Sequence, residues 1–225
     1  MRGKLIVIEG TDCSGKETQA KLLIEKIRNL GKRTERFSFP NYNSPTGKII
    51  GGPYLGKEYI SNGWFPEGST NVDPKVSSLY YAADRKYNID KITYLLDNGV
   101  NVILDRYIHS NMAHQGCKYK TKEERMKMYK WLEELEFNLL ELPKPDIKVF
   151  LHMPSEVSDV LKQTREEKLD QNERYKDYLI EAEKSYLEIA ELYNFKTIEC
   201  ADGNEPRDIV DINKDICDYV LNELM

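Results

Sequence analysis

The chain has 225 residues, a formal net charge of -5 and a hydrophobic fraction of 40%. This acidic balance argues against a nucleic-acid partner, because non-specific nucleic-acid binding usually requires a basic domain, and the hydrophobic fraction is sufficient for the core of one α/β domain. No apolar stretch approaches the ~18–20 residues of a membrane span, and four scattered cysteines without C-x-x-C spacing indicate reduced thiols, so we expect a cytoplasmic protein without a membrane partner.

The N-terminal part of the chain alternates between strand and helix patterns. Residues 4–9 are a continuous apolar run that predicts a parallel strand buried on both faces. The spacing of apolar residues predicts a helix over 16–30, and a short strand follows at 34–39. Residues 41–73 are rich in Gly, Asn, Ser, Pro and Tyr. Beyond a helix near 45–52, we expect this insertion to be functional or mobile.

The rest of the chain continues the alternation. Asp73-Pro74 indicates a helix start, and Thr121 with Glu124 fits a capping box. The patterns predict helices over 74–98, 121–140, 155–193 (with a polar interruption near 168–173) and 205–224, and strands over 100–105, 147–152 and 196–199. Such alternation predicts an about five-stranded parallel sheet with helices on both faces, in one domain over residues 1–225.

A phosphate-binding loop (P-loop) follows the first predicted strand. Residues 10–16 match G-x-x-x-x-G-K between a strand and a helix, which is the context that this motif requires. Glycines let backbone N–H groups surround phosphate oxygens, and Lys16 reaches the β- and γ-phosphates. We therefore expect a three-layer P-loop NTPase fold. The residues expected to bind ATP are Gly10, Thr11, Asp12, Cys13, Ser14, Gly15, Lys16, Glu17 and Thr18.

The metal ligand is less clearly defined by the motif. The residue after the P-loop lysine is usually Ser or Thr, whose hydroxyl binds Mg²⁺, but here it is Glu17. Its carboxylate can bind Mg²⁺, which prefers hard oxygen ligands, or it can point into solvent and leave the ion to water and phosphate. Asp105 ends the strand at 100–105, where ligands bind in parallel α/β sheets. We predict that Glu17 and Asp105 hold Mg²⁺, partly through water.

A second group of residues indicates a site for another nucleotide. Arg106 follows the strand that ends at Asp105 and can hold a phosphate with a two-pronged contact. Tyr81 and Arg85 are four residues apart on one predicted helix face, where a base can stack on the ring. Taken singly, Tyr81 is explained as a core residue and Arg85 as a solvated one. Their occurrence together with a P-loop favours the nucleotide site.

The chain resembles the thymidylate kinases, a family of P-loop nucleoside monophosphate kinases, along nearly its full length. The resemblance is carried by IEGTDCSGKETQ at 8–19, FP at 39–40, YYAADR at 80–85, DRYIHSNMAHQG at 105–116, LPKPD at 142–146 and NERY at 172–175. Asp12 distinguishes this family from other P-loop classes, because those classes seldom place a carboxylate in the middle of the loop. The resemblance implies transfer of the γ-phosphoryl group of ATP to dTMP, with Mg²⁺, in a protein that is typically a homodimer.

The resemblance also implies roles for individual residues. Asp12 contacts the sugar 3′-hydroxyl, Tyr81 stacks on thymine and Arg85 approaches the base carbonyl. The implied dTMP-binding set is Asp12, Phe39, Pro40, Tyr81, Arg85, Arg106, Ser110 and Gln115. A lid near 162–175 carries two arginines that reach ATP, and the implied catalytic set is Lys16, Arg106, Asp12, Arg165 and Arg174.

The sequence departs from the family pattern in the segment 51–73, which is longer than in the more compact members, and at two further places. Many members carry an arginine shortly after the Phe-Pro pair to hold the monophosphate, whereas this chain has Asn41 and Tyr42. Some members place an arginine in the P-loop where this chain has Cys13. Because the transition state still spreads negative charge over its equatorial oxygens, we expect the lid arginines to supply the compensating charge.

Two other functions stay open on the sequence alone. A deoxynucleoside kinase shares the P-loop and the strand-end Asp-Arg pair, and the missing phosphate arginine supports it. That reaction needs a general base near the 5′-hydroxyl, and no acidic residue suggests itself for the role. A nucleotide-binding regulatory protein with little turnover is supported by Glu17, because an impaired metal site can abolish catalysis.

Overall fold

A five-stranded parallel sheet organises the molecule. The computed structural model describes residues 2–163 and 175–224. The strands are β1 (Leu5–Gly10), β2 (Thr34–Ser38), β3 (Asn101–Asp105), β4 (Ile147–His152) and β5 (Lys196–Glu199). They lie in the order β2-β3-β1-β4-β5, and each neighbouring pair is parallel. The prediction of a five-stranded parallel sheet is therefore confirmed.

The helices that cover the sheet begin where the sequence places caps. Asp73 accepts hydrogen bonds from the backbone N–H groups of Lys75 and Val76, and Thr121 forms the predicted capping box with Glu124. The α-helices are α1 (Lys16–Asn29), α2 (Pro45–Ile49), α3 (Pro74–Asp97), α4 (Ile108–Gly116), α5 (Lys122–Glu133), α6 (Ser155–Gln163), α7 (Lys176–Leu192) and α8 (Ile209–Glu223). π-Helical turns extend α2 over Ile50–Tyr54 and α5 over Glu134–Leu139, and a 3₁₀ turn spans Ser69–Asn71.

Local structure adds detail to the predicted pattern in three segments. The segment after β3, whose sequence allows a short helix or a loop, is the nine-residue helix α4. The last helix begins at Ile209 rather than 205, because β6 (Ala201–Asp202) and β7 (Glu205–Pro206) form a small antiparallel pair before it. The expected helical region 155–193 contains α6 and α7, and the residues between 163 and 175 lie outside the described part of the chain.

Alternate residues of β1 serve two separate cores. Leu5 and Val7 pack with residues of α3, α4, α5 and α7 on one face of the sheet. Ile6 and Ile8 pack with residues of α1 and α8 on the other face. A strand buried on both faces must be apolar throughout, which explains the unbroken run in the sequence. Among the described helices, none combines the length and apolar character that crossing a bilayer requires.

The insertion at 41–73 is attached to α3 by buried polar and apolar contacts. Asp84 is 1% exposed and accepts hydrogen bonds from the backbone N–H of Asn41 and the hydroxyls of Ser44 and Thr46. A third apolar cluster joins the insertion to the first turns of α3, and it consists of Ile50, Tyr54, Leu55 and Val72 with Tyr42, Phe65, Tyr80 and Tyr81 against them. The insertion thus forms one wall beside the carboxyl ends of β1 and β3.

Candidate active site

The P-loop closes tightly at the carboxyl end of β1. Gly10 is required there, because a Cβ at this position would lie 2.6 Å from Ser14 Oγ and 2.7 Å from the Leu151 carbonyl oxygen. Cys13 and Gly15 adopt φ angles of 56° and 74°, which turn the chain into α1. The Thr11 hydroxyl donates to the Met153 carbonyl at 2.7 Å and ties the loop to the segment after β4. These contacts fix the loop between the end of β1 and the start of α1.

Lys16 is held over the P-loop. Its Nζ donates to the carbonyl oxygens of Gly10 at 3.0 Å and Thr11 at 2.6 Å, and the residue is 8% exposed. Burial lowers the pKa of Lys16 to about 8, and the nearby positive charge of Arg106 acts in the same direction. A buried cation at the N-terminus of a helix is well placed to contact phosphate.

Arg106 lies between the P-loop and α4. Its backbone has a φ of 65° and donates to the Ile8 carbonyl at 3.0 Å. Its guanidinium donates to Asp12 Oδ1 at 3.3 Å and to the Tyr186 hydroxyl at 3.1 Å. Burial alone would lower the pKa of Arg106, but the Tyr186 phenol and the surrounding carboxylates outweigh it and shift the pKa upward. Arg106 is therefore a fixed positive charge beside Asp12.

Glu9 was not predicted from the sequence to belong to the site, yet it positions the start of α4. Its carboxylate accepts from the backbone N–H groups of Tyr107 at 2.8 Å and Ser110 at 3.0 Å, and also from the Ser110 hydroxyl. Burial raises the pKa of Glu9, while these hydrogen bonds lower it. The signal in the sequence is a carboxylate directly at the end of an apolar strand, which needs buried partners.

An aromatic cleft lies beside Arg106, and we call it the acceptor cleft. It is lined by Asp12, Phe39, Pro40, Tyr42, Leu55, Tyr81, Arg85, Arg106, Tyr107, Ser110, Asn111 and His114. Seven of the eight residues expected to bind dTMP therefore lie together. The exception is Gln115, which is fully buried and lines neither this cleft nor the one described below.

The inner end of the acceptor cleft holds a buried ion pair. Arg85 is 2% exposed and contacts Glu136 through two nitrogens, Nε and Nη2, the latter at 2.6 Å. The reading of Arg85 as a solvated helix residue is therefore wrong. Asn111 donates through Nδ2 to Glu136 Oε1 at 3.1 Å, and its buried Oδ1 has no hydrogen-bond partner among the described residues. The cleft thus offers a positively charged donor beside an unused acceptor.

A second cleft joins the P-loop to the acceptor cleft, and we call it the phosphate cleft. It is lined by Asp12, Cys13, Gly15, Lys16, Glu17, Thr18, Arg36, Ser38, Phe39, Pro40, Tyr42, Lys57, Tyr59, Asp105 and Arg106. Asp12, Phe39, Pro40, Tyr42 and Arg106 line both clefts. The two clefts therefore adjoin along a shared wall, and Lys16 and Arg106 both line the phosphate cleft.

The two predicted metal ligands have different surroundings. Glu17 is exposed, with Oε1 2.7 Å from Lys21 Nζ and 3.7 Å from Arg36 Nη2. Asp105 is buried at the cleft edge, with Oδ2 3.5 Å from Arg36 Nη1. Within residues 2–163 and 175–224, no group of three or more His, Cys, Asp or Glu side chains is arranged to hold a metal ion. These residues therefore suit an ion that shares phosphate and water ligands, with Asp105 the better placed carboxylate.

The remaining predicted catalytic residues are two arginines of the proposed lid. Arg165 and Arg174 lie outside the described residues, as does most of the segment 162–175. Their expected contacts with ATP stay a prediction.

Comparisons with known proteins agree on one family. The family model described as "Thymidylate kinase" matches residues 8–210. A thymidylate kinase of Schizosaccharomyces pombe is 28% identical over 98% of this chain and 93% of its own length. One of Dictyostelium discoideum is 33% identical over 69% of this chain and 60% of its own length. The solved structure of thymidylate kinase from Candida albicans has a TM-score of 0.75 at 25% identity, covering 98% of this chain and 92% of the other.

Proposed function

This chain belongs to the thymidylate kinase family, and we propose that it transfers the γ-phosphoryl group of ATP to dTMP, giving dTDP and ADP, between the phosphate cleft and the acceptor cleft. The observation that carries the proposal is that the two clefts adjoin at Asp12 and Arg106, which line both. A donor phosphate on the P-loop and an acceptor phosphate in the aromatic cleft would meet there. Nothing in the comparisons favours a deoxynucleoside kinase or a regulatory protein.

The inner end of the acceptor cleft suits thymine. A thymine ring presents an imide N–H donor between two carbonyl acceptors. Asn111 Oδ1 supplies an acceptor for the N–H, and the Arg85 guanidinium lies nearby as a donor for a carbonyl. Because Asn111 Nδ2 donates to Glu136, the amide orientation is fixed by its partner. Tyr81 also lines the cleft and offers its ring for stacking.

Phosphoryl transfer requires the protein to position the reactants and to neutralise charge, and it does not require a covalent intermediate with the protein. The attacking oxygen belongs to the phosphate of dTMP, which is already ionised at neutral pH, so no strong general base is needed. Lys16 contacts the transferred phosphoryl group, and Arg106 neutralises charge from the acceptor side. Asp12 holds Arg106 through its 3.3 Å contact and faces the sugar. The lid arginines Arg165 and Arg174 complete the positive charge.

Mg²⁺ enters with ATP in this proposal. When bound, it would supply positive charge that offsets the negative charge of the phosphates. Asp105 would hold it, directly or through water, because its carboxylate lines the phosphate cleft beside Lys16. Glu17 is a second candidate, on the exposed side of the same cleft.

We further propose a homodimer that assembles through α3. Four large apolar side chains of this helix are exposed, and their spacing places them on one face: Val76, Leu79, Tyr87 and Tyr94. An exposed apolar stripe of this kind marks an interaction surface. Light scattering should give twice the chain mass of 26.3 kDa, and Tyr87→Glu with Tyr94→Glu should halve it. A monomeric native protein would contradict the proposal.

The location and organisation of the chain are also proposals. Its four cysteines are in the reduced thiol form, which supports a cytoplasmic protein. We propose one kinase domain over 1–225, in which 162–175 is a lid and 41–73 forms the acceptor-side wall. The contacts of the insertion with Asp84 support the second assignment.

The function is tested by ADP release with a panel of acceptors. We expect ADP formation that depends on added dTMP, with lower activity on dUMP and none on thymidine. Lys16→Ala is the matched negative control. Faster turnover with thymidine than with dTMP would show a nucleoside kinase. ADP formation at a rate that does not depend on any added acceptor would contradict the kinase assignment.

A further inference from the structure

The positions where an acceptor-phosphate arginine is expected do not present a cation to the phosphate cleft. Asn41 donates through Nδ2 to Asn88 Oδ1 at 2.8 Å, and its Oδ1 accepts from the backbone N–H of Asn43. Tyr42 packs against Gly51, where a Cβ would lie 2.9 Å from the tyrosine ring. A phosphate in this cleft would therefore need its charge partner from another element.

β2 brings a different arginine to the same place. Ser38 pairs in register with Asp105 at the carboxyl end of the sheet, and Arg36 lies two residues earlier, on the same face of β2. The Arg36 side chain is 24% exposed and lines the phosphate cleft together with Lys16 and Arg106. Its position in a strand gives the guanidinium a fixed base.

The guanidinium of Arg36 has donors that the protein itself does not use. Nη1 is buried and makes no hydrogen bond to any described residue, because Asp105 Oδ2 lies 3.5 Å away in an ion pair without hydrogen-bond geometry. Nη2 is 3.7 Å from Glu17 Oε1. Buried charged donors without acceptors are costly. An anion that entered the cleft would offer acceptors to this guanidinium.

We propose that Arg36 binds the phosphate of the acceptor nucleotide and takes over the contact that an arginine at position 41 or 42 would make. Arginine suits this role because its planar fork can hold two phosphate oxygens at once. The consequence is a preference for nucleoside monophosphates over nucleosides, despite the departure from the family pattern. The proposal rests on the proposed function, since it deepens the acceptor site of that reaction.

The test measures three dissociation constants by calorimetry on the full chain: for dTMP, for thymidine and for a non-hydrolysable ATP analogue. Arg36→Ala should raise the dTMP constant on the order of 10- to 100-fold, the loss of a hydrogen-bonded charge contact. The constants for thymidine and the ATP analogue should not change. Arg36→Lys should lie between wild type and Arg36→Ala, because it keeps the charge without the fork. Arg33→Ala is the matched control, since Arg33 precedes β2 and does not line the cleft.

Three outcomes would overturn the proposal. An unchanged dTMP constant would show that Arg36 does not contact the phosphate. An equal loss for thymidine in Arg36→Lys would assign it a structural role, and a loss confined to the ATP analogue would place it on the donor. Wild-type turnover with dTMP is measured alongside. If the wild type does not turn over dTMP, the proposed function itself is refuted. If the wild type turns over dTMP normally but Arg36→Ala leaves the dTMP dissociation constant unchanged, only the role of Arg36 is refuted.

Discussion

The roles of some residues of the site can be predicted from the sequence, whereas the roles of others cannot. Asp12, Lys16 and Arg106 belong to local motifs, and the structure brings all three to one cleft. The roles of Asn111 and Arg36 depend on contacts with residues that are distant in sequence, Glu136 and Asp105 respectively. No spacing rule connects such pairs along the chain. Local chemistry was therefore predictable, and long-range polar contacts were not.

Lys16 gives a prediction about pH. Its pKa is lowered to about 8 by burial, so the charged form that contacts phosphate is lost as the pH rises through that value. We expect kcat/KM for ATP, which reports on the free enzyme, to decline above pH about 8. Lys16→Ala should lower kcat by about 10²–10³-fold and should lack this alkaline decline. A flat alkaline profile in the wild type would contradict this role.

Asn111 and Tyr81 make separable contributions to base recognition. Asn111→Ala should reduce the preference for dTMP over dCMP, because cytosine has no N–H at the position that Oδ1 accepts from. The expected loss of binding free energy for dTMP is about 0.5–1.5 kcal/mol. Tyr81→Ala should weaken both nucleotides by about 1–3 kcal/mol, since stacking does not depend on the base. Calorimetry with dTMP and dCMP distinguishes the contributions of the two residues. An unchanged ratio of the dTMP and dCMP dissociation constants in Asn111→Ala would rule out the assigned hydrogen bond.

At the scale of elements, the strands and long helices followed from periodicity and caps. β1 begins with four apolar residues and β4 is apolar except at Lys148 and His152, and Asp73 and Thr121 cap α3 and α5 as predicted. The helix α4 was uncertain because its residues are buried on nearly all sides, which removes the amphipathic pattern. The β6–β7 pair has two residues in each strand, too few for any period to be visible.

His152 joins β4 to α7 and β5 and makes their stability depend on pH. Nε2 lies 2.9 Å from Glu183 Oε1, and Nδ1 lies 2.7 Å from Glu199 Oε2. The hydrogen bond to Glu183, followed by that to Glu199, raises the pKa of His152 above its ordinary value of 6.5. Its stabilisation is therefore complete below pH 6.5 and is lost as the pH rises through the raised pKa.

We expect His152→Gln to reduce the free energy of unfolding more at pH about 5.5 than at pH about 8.5, on either side of the ordinary histidine pKa. Urea unfolding at both pH values measures the difference. Glu199→Gln should reproduce part of the effect. The same loss at both pH values would show that the contribution of His152 does not depend on its charge.

The predicted lid is the element whose contribution to catalysis most needs a direct test. With Cys13 in the P-loop, we expect Arg165 and Arg174 to supply transition-state charge. The double variant Arg165→Ala with Arg174→Ala should lower kcat by about 10²–10³-fold and leave the dTMP KM nearly unchanged, the pattern of a contact made mainly in the transition state. Lys184→Ala, an exposed cation of α7, is the control. Normal kcat in the double variant would leave the charge to Lys16 and Arg106.

At the scale of the whole molecule, the arrangement of the sheet makes the site. β1 and β3 are neighbours, so the P-loop and the Asp105-Arg106 pair leave the sheet side by side. β2 lies beyond β3 and adds Arg36 and the Phe39-Pro40 pair. Alternation of strands and helices predicted a parallel sheet, but the strand order depends on packing between distant segments. The order β2-β3-β1-β4-β5 therefore had to come from the structure.

The γ-phosphoryl group of ATP should pass to dTMP where these two clefts adjoin. The most direct measurement follows the label from γ-³²P ATP in the presence of dTMP and separates the products. We predict that the label appears in dTDP in a one-to-one ratio with the ADP released, and that the rates of formation of both products fall together by about 10²–10³-fold in Lys16→Ala. Label recovered as inorganic phosphate, or no label transferred to dTMP while ADP accumulates, would contradict the account.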